Sequence, residues 1–183
     1  DLAYDGRLFV GWARQRGLRS VQGELEGVLT HLVGRPVELT CAGRTDAGVH
    51  ATGQVAHVDV PSGTGPEVGR VNRALPEDIR VTAITEVSAD FDARFSAIWR
   101  RYRYRIADDG VGPMPLERRW TLRHPKALNV DAMNAAAESL VGEHDFAAFC
   151  KPWDYATTIR EVQELQWRRD PQGCADMTIQ ADA

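Results

Sequence analysis

The octapeptide Gly43-Arg44-Thr45-Asp46-Ala47-Gly48-Val49-His50 concentrates more chemistry than any other stretch of the chain. Glycines bracket its centre, and glycine permits a tight turn and close backbone approach by a ligand. In an extended chain Arg44 and Asp46 point the same way. A guanidinium so placed favours the charged carboxylate even where water is excluded. A charged, positioned and partly desolvated carboxylate is what a nucleophile or a general base has to be. The same residues also make an ordinary Asx-turn with a structural ion pair. Spacing alone leaves both readings open.

Other polar residues sort against that loop. His50, His57 and Asp59 lack the spacing of a metal-binding set, so no metal is expected, and His57 reads as hydrogen-bonded structure beside the loop. Cys41, Cys150 and Cys174 form no CxxC pair and no finger-type spacing; they read as reduced thiols of a cytoplasmic protein. Trp12, Trp99, Trp120, Trp153 and Trp167 have no regular spacing, and most read as packing. Arginines gather at 7, 14, 16 and 19, again at 94, 100, 101, 103 and 105, and then at 118, 119 and 123, while lysine stands only at 126 and 151. Arginine suits bidentate phosphate contacts. A net charge of -4 argues against a generic nucleic-acid binder, so these stripes suit a protein that grips RNA in one place.

Several elements must position the loop. Leu2 to Tyr4 reads as a strand, and Asp5-Gly6 as a turn. Ser20 reads as the N-cap of a helix that buries Val21, Leu25, Val28, Leu29 and Leu32 on one face and stops at Gly34 and Pro36. Val37 to Ala42 is a strand running into the octapeptide. Gln54 to Val60 is a second strand, and a short helix leads from Pro66 to the strand Ile79 to Ile84. The pattern then restarts. Arg101 to Ile106 alternates, with Tyr102, Tyr104 and Ile106 on one face and Tyr104 expected in the core. Asp131 is placed as cap of a helix closed by Gly142, Asp145 as cap of a short turn, and Ile159 to Trp167 and Met177 to Ala181 as strands. Two successive sets of helices and strands indicate an α+β protein in two halves, divided as 1–91 and 92–183.

Composition agrees with a folded core: of 183 residues 43% are hydrophobic and 26% charged. The longest apolar runs are too short to span a bilayer, and no membrane association is expected. Neither an internal repeat nor a low-complexity segment occurs.

The octapeptide resembles the active-site signature of tRNA pseudouridine synthase A, and the similarity runs along the whole chain in order. Tyr4-Asp5-Gly6, Phe9, Gly11-Trp12 and Gln15 resemble that family's opening, and Val21-Gln22-Gly23-Glu24-Leu25-Glu26 its first helix. Gly53-Gln54-Val55-Ala56-His57, Asn72, Leu75-Pro76 and Asp78-Ile79 follow as in the family. Ala93-Arg94-Phe95-Ser96-Ala97, Arg101-Tyr102-Arg103-Tyr104, and Gly142-Glu143-His144-Asp145-Phe146 with Phe149 complete the match. The resemblance implies two ferredoxin-like halves with joined antiparallel sheets and a cleft between them. It implies isomerisation of uridine to pseudouridine at positions 38–40 of the tRNA anticodon stem-loop, with no cofactor, by a homodimer. It implies that Asp46 is the reacting carboxylate, either adding covalently or removing a ribose proton. Arg44 would pair with Asp46 and help prise out the base, and Tyr102 would lie on the uracil face and take the C5 proton. Gly48, His50, Arg14, Arg94 and Arg101 complete the substrate contacts on this reading, with Arg7, Arg16 and Arg103 as further candidates for the RNA face.

The residue types fit that chemistry. A base in a stem is reached only by flipping it out, at a cost of a few kcal/mol. Stacking on an aromatic ring returns about 1–3 kcal/mol. Against the family, the chain stops at Ala183, where the pattern continues into a helix bearing a Met-Val-Arg motif, so a fragment with an incomplete second half is expected. A rival reading is a degenerate relative that binds tRNA or acts as a chaperone without catalysis. A hydrolase using Asp46 would need a second acid nearby.

Overall fold

Ser20 starts the first helix as its sequence indicates. In the computed structural model, which describes residues 1–108, 110, 112–150 and 157–182, its hydroxyl accepts from Gly23 N–H at 3.2 Å. The helix, α1, runs Val21–Val33, and Gly34 ends it in the left-handed conformation that glycine adopts without strain. Val21, Leu25 and Leu29, four residues apart, are buried on one face.

The chain divides into two compact units, Asp1–Ala97 and Ile98–Ala183. The sequence put the division at 91/92. Residues 92–97 fall in the first unit, where Ala93 N–H donates to His57 Nδ1 at 2.9 Å and Phe91 packs edge-on against the His57 ring.

In the first unit β1 (Leu2–Tyr4) is flanked by β3 (Ala51–Gln54) and β5 (Ile79–Val81) in an antiparallel sheet, while β2 (Leu39–Cys41) pairs with β4 (Ala56–Val58). The core is continuous: Leu2, Tyr4, Phe9 and Trp12 join Val21, Leu25 and Leu29 of α1, Leu39, Cys41, Val71, Leu75 and Ile79. The second helix, α2 (Val68–Ala74), is tied to β5 by Asn72, whose side chain donates to the Val81 carbonyl and accepts from its N–H, both at 2.8 Å.

The turn expected at Asp5-Gly6 is present, as the cap and start of a single 3-10 turn, Gly6–Leu8. Three other expectations here need correction. Gln54 to Val60 is not one strand. The chain passes from one sheet to the other at Val55, whose carbonyl takes Ala42 N–H at 2.8 Å, and strand pairing begins earlier, at Ala51. Ala51, Thr52 and Gly53 offer little of the bulk that marks a strand in sequence. The strands expected at Val37 to Ala42 and Ile79 to Ile84 pair over only three residues each.

The second unit is built on a five-stranded sheet in the order β7 (Leu122–Arg123), β6 (Arg100–Ala107), β10 (Ala175–Ala181), β9 (Ile159–Arg169), β8 (Gly142–Asp145), with only β6 and β7 parallel. Asp170-Pro171-Gln172-Gly173 turns the β9–β10 hairpin. Its Gly173 has φ +86°, and Asp170 accepts from both Gly173 N–H and Cys174 N–H. The register puts Tyr102, Ile179 and Leu165 on one face, with Tyr104, Met177 and Trp167 beside them. The opposite face carries Arg101, Arg103 and Arg105 of β6 against Gln180, Thr178 and Asp176 of β10.

Sequence reading misjudged this unit in three places. Asn129, not Asp131, caps α3 (Val130–Glu138), accepting from Ala132 N–H at 3.0 Å. Asp131 sits in the first turn, where its charge complements the helix dipole. The helix ends at Glu138, so Gly142 opens β8 rather than closing α3. Tyr104 is 47% exposed and not core, whereas Arg105 on the other face is 7% exposed. Burial along β6 follows position on the strand, rising toward Ile106 and Ala107, and not the alternation of faces. Among the tryptophans Trp12 is buried, Trp99 and Trp120 are exposed, and Trp153 lies outside the described residues. Among the described residues no helix is long and apolar enough to cross a membrane.

Candidate active-site loop

The octapeptide leaves β2 and is held by its backbone. Trp12 N–H donates to the Thr45 carbonyl at 2.9 Å, and the Gly43 carbonyl accepts from Gln54 Nε2 at 2.7 Å. Tyr4 Oη shares a hydrogen bond of 2.8 Å with Thr45 Oγ1, and Gln54 Nε2 also reaches Tyr4 Oη at 3.3 Å. Gly48 N–H donates to the Phe9 carbonyl at 3.3 Å. Gly48 has φ +79°, and Val49 N–H closes the turn on the Asp46 carbonyl at 3.2 Å.

Two glycines of the chain's opening make this fit possible. A Cβ on Gly11, where φ is +117°, would stand 2.8 Å from the Thr45 carbonyl oxygen and 3.2 Å from the Asp46 carbonyl carbon. A Cβ on Gly6 would strike the Val49 carbonyl. In the sequence Tyr4, Gly6, Phe9, Gly11, Trp12 and Gln54 share only a resemblance to one family and scattered strand, turn and packing assignments. Their shared task, cradling residues 43–49, is visible only in three dimensions. Closely spaced glycines followed by a buried aromatic were its sequence trace.

With Thr45 turned inward, its neighbours turn outward: Arg44 and Asp46 are both exposed. The expected Arg44–Asp46 ion pair is not formed; among the described residues neither side chain has an ion-pair partner. An exposed pair is worth about 0–1 kcal/mol, too little to fix two solvated side chains. His50 lies at the loop's far end, with Nδ1 3.2 Å from Asp5 Oδ1. Asp5 also receives Arg7 in a bidentate pair, and that hydrogen bonding holds its carboxyl below the usual carboxylate range.

The remaining candidates divide by how their guanidinium groups are engaged. Arg14 is 67% exposed and pairs with buried Glu26 at 3.1 Å. Arg16 is exposed and, among the described residues, has no partner. Arg94 stacks over Phe95 in the first unit. In the second unit Arg101 lies over Trp99 and 3.5 Å from Glu164, and Arg103 is held by Asp176 at 2.7 Å. Tyr102 on β6 is 45% exposed. His57 is structural, its Nδ1 accepting from Ala93 N–H. Among the described residues no three His, Cys, Asp or Glu side chains are grouped to hold a metal.

The architecture is thus a rigidly seated loop presenting one carboxylate and one guanidinium to solvent, in a mixed α+β protein. Comparison with known proteins gives it a family. The model of the tRNA pseudouridine synthase family matches residues 136–183. tRNA pseudouridine synthase A of Streptomyces griseus is 51% identical over 191 residues, which takes in 100% of this chain and 67% of that protein. The enzymes of the same name from Streptomyces avermitilis and Frankia casuarinae are 53% and 50% identical, again across 100% of this chain, and 67% and 68% of their own lengths. At this identity along its full length, and with the loop that defined the resemblance seated by residues that share it, the chain belongs to the tRNA pseudouridine synthase A family.

Proposed function

We propose that the chain carries the catalytic loop for isomerising uridine to pseudouridine in the anticodon stem-loop of tRNA, at positions 38–40, with Asp46 as the reacting carboxylate. The observation that carries this reading is the contrast within the loop: its backbone is fixed at Gly43, Thr45 and Gly48, while Asp46 is exposed and without an ion-pair partner among the described residues. A carboxylate on a rigid support arrives at the substrate without a large ordering cost.

The reaction breaks the bond from uracil N1 to ribose C1′, turns the base and rejoins it through C5; the C5 hydrogen leaves as a proton and N1 takes one up. Asp46 serves it by one of two routes, addition to the nucleotide or removal of a ribose proton that yields a glycal. Arg44, two residues away and also exposed, closes on Asp46 or on the flanking phosphate once RNA excludes water. Tyr102 offers a ring for the extruded base and a hydroxyl for the C5 proton. Gly48, His50, Arg14, Arg94 and Arg101 contact the substrate. The setting is cytoplasmic, the enzyme a homodimer, and the chemistry needs no cofactor.

The test is release of the uridine C5 hydrogen to water when the complete protein meets tRNA. Asp46→Asn should abolish release and leave tRNA affinity nearly unchanged, because phosphate contacts and not Asp46 hold the RNA. Turnover within about tenfold of the parent would remove Asp46 from the chemistry.

A further inference from the structure

Glu26 is a buried charge that the proposed chemistry does not use. It lies on α1 and is 3% exposed. Oε1 accepts from Leu39 N–H at 3.0 Å and from Gln22 Nε2 at 2.8 Å. Oε2 has no hydrogen-bond donor among the described residues and faces Arg14 Nη1 at 3.1 Å. Gln22 completes the unit, donating to the Leu39 carbonyl at 3.1 Å and accepting from Arg14 N–H at 3.0 Å. Side chains of α1 therefore hold both backbone groups of Leu39, the first residue of β2, and both the backbone and the guanidinium of Arg14.

Burying a carboxylate costs several kcal/mol unless its charge is met. A glutamine at 26 would still accept from Leu39 N–H, so binding β2 does not require the charge. The charge is explained by Arg14. Its side chain is 67% exposed although one Nη is drawn to the buried carboxylate, and its guanidinium N–H groups have no hydrogen-bond partner among the described residues. Arg14 opens a turn that continues through Arg16, which has no partner among the described residues, and, with Arg19, Ser20 and Gly23, borders an open cleft at the start of α1. From Leu39 the same β2 strand leads in five residues to Arg44.

We infer that Glu26 is a positioning residue for RNA recognition: it fixes Arg14 to receive one backbone phosphate, in register with the strand that delivers the Asp46 loop. The inference rests on the tRNA-isomerising reading above. A side chain held in this way loses little freedom when the phosphate arrives, which is the advantage a buried carboxylate confers and a glutamine does not.

The experiment measures binding of an unmodified tRNA transcript to the complete protein as a function of salt, for the parent, Glu26→Gln, Arg14→Gln and the double variant. Each single variant should lower the slope of log K against log salt by about one and weaken binding about fivefold near 0.15 M salt. The loss should fall on KM rather than kcat. The double variant should bind no worse than either single one, because one contact is lost in all three. It also leaves no lone buried carboxylate, so it reports on the contact even where Arg14→Gln folds poorly. A purely structural Glu26 would show itself in a lowered Tm with the parent slope retained, or in additive losses, and either result overturns the inference. So does tighter binding by Glu26→Gln, which would mean that the carboxylate only masks Arg14. If the parent binds and isomerises tRNA but the variants keep its slope, this inference alone fails. If the parent neither binds nor isomerises tRNA, the functional reading fails and takes this one with it.

Discussion

The loop of residues 43–50 and the strand β6 both carry arginines beside a candidate catalytic side chain, but they use them in opposite ways. In the loop the backbone is clamped by distant residues, while Arg44 and Asp46 are left to solvent. On β6 two of the arginines are already held by carboxylates. Arg105 is buried among Glu117, Asp170 and Asp176, and Arg103 shares Asp176. Burial opposes the charge on Arg105, yet its carboxylate partners more than offset this and hold its protonation firmly. Arg103 and Arg105, met by carboxylates, build structure; Arg44, on a loop with a fixed backbone, is available to act. An arginine stripe in a sequence does not say which it is.

Replacing Asp46 breaks the comparison at its strongest point. Asp46→Asn should reduce pseudouridine formation about 10⁴-fold or more with the fold unchanged, since an exposed side chain without an ion-pair partner contributes little to stability. Single-turnover assays on tRNA, with the thermal transition measured in parallel, decide it.

Tyr102 tests whether β6 also supplies chemistry. Tyr102→Phe keeps the ring and loses the hydroxyl. If that hydroxyl takes the C5 proton, turnover should fall by about 10²–10⁴. Unimpaired turnover by Tyr102→Leu would take the residue out of the site and leave β6 as scaffold alone.

The cradle can be broken without touching a reacting group. Gly11→Ala puts a methyl against the Thr45 and Asp46 backbone at a φ of +117°. Displacing the loop by an ångström should cost about 10²-fold in kcat. The helical circular dichroism should survive, because α1 has its own cap and core face. Full activity in Gly11→Ala would show that loop rigidity is not what positions Asp46.

Arg16 and Arg103 sharpen the contrast between free and engaged arginines. Arg16→Gln should lower the salt slope of tRNA binding by about one, and Arg103→Gln should leave it near the parent value. Equal slopes for both variants would mean that engagement by Asp176 does not keep Arg103 from RNA.

Much of this was legible in sequence, and the illegible part has a common cause. Ser20, the Leu25–Leu29 face and Gly34 fixed α1 because capping and helical periodicity are local. Asp46 and Arg44 stood out because their residue types and glycine brackets are local too. The split of Gln54 to Val60 between two sheets depends on which strand lies beside each residue, and that is decided by partners more than ten residues away. The exposure of Tyr104 and burial of Arg105 have the same origin: alternation gives two faces of a strand but not what covers them. The network of Glu26 was invisible because Arg14 and Leu39 reach it from a loop and a strand outside its own helix.

The smallest expected effect concerns acid and a buried charge pair of the second unit. Asp108 has a side chain 1% exposed, takes both Arg169 Nη groups at 2.7 Å and accepts from Leu128 N–H at 2.6 Å. Those bonds, Arg169 first, outweigh burial and hold its carboxyl far below the usual range. A carboxylate depressed in the folded state contributes stability that is complete above its unfolded value, about 3.9, and is lost as pH falls toward the folded value. Asp108→Asn should therefore be less stable than the parent near neutrality, with a gap that narrows steadily below about pH 4. Amide exchange along β9 and β10 reads the effect locally. A gap for Asp108→Asn that stays constant from about pH 6 to about pH 2 would show that the Asp108–Arg169 charge pair is not what fastens the β9–β10 hairpin to the segment before α3.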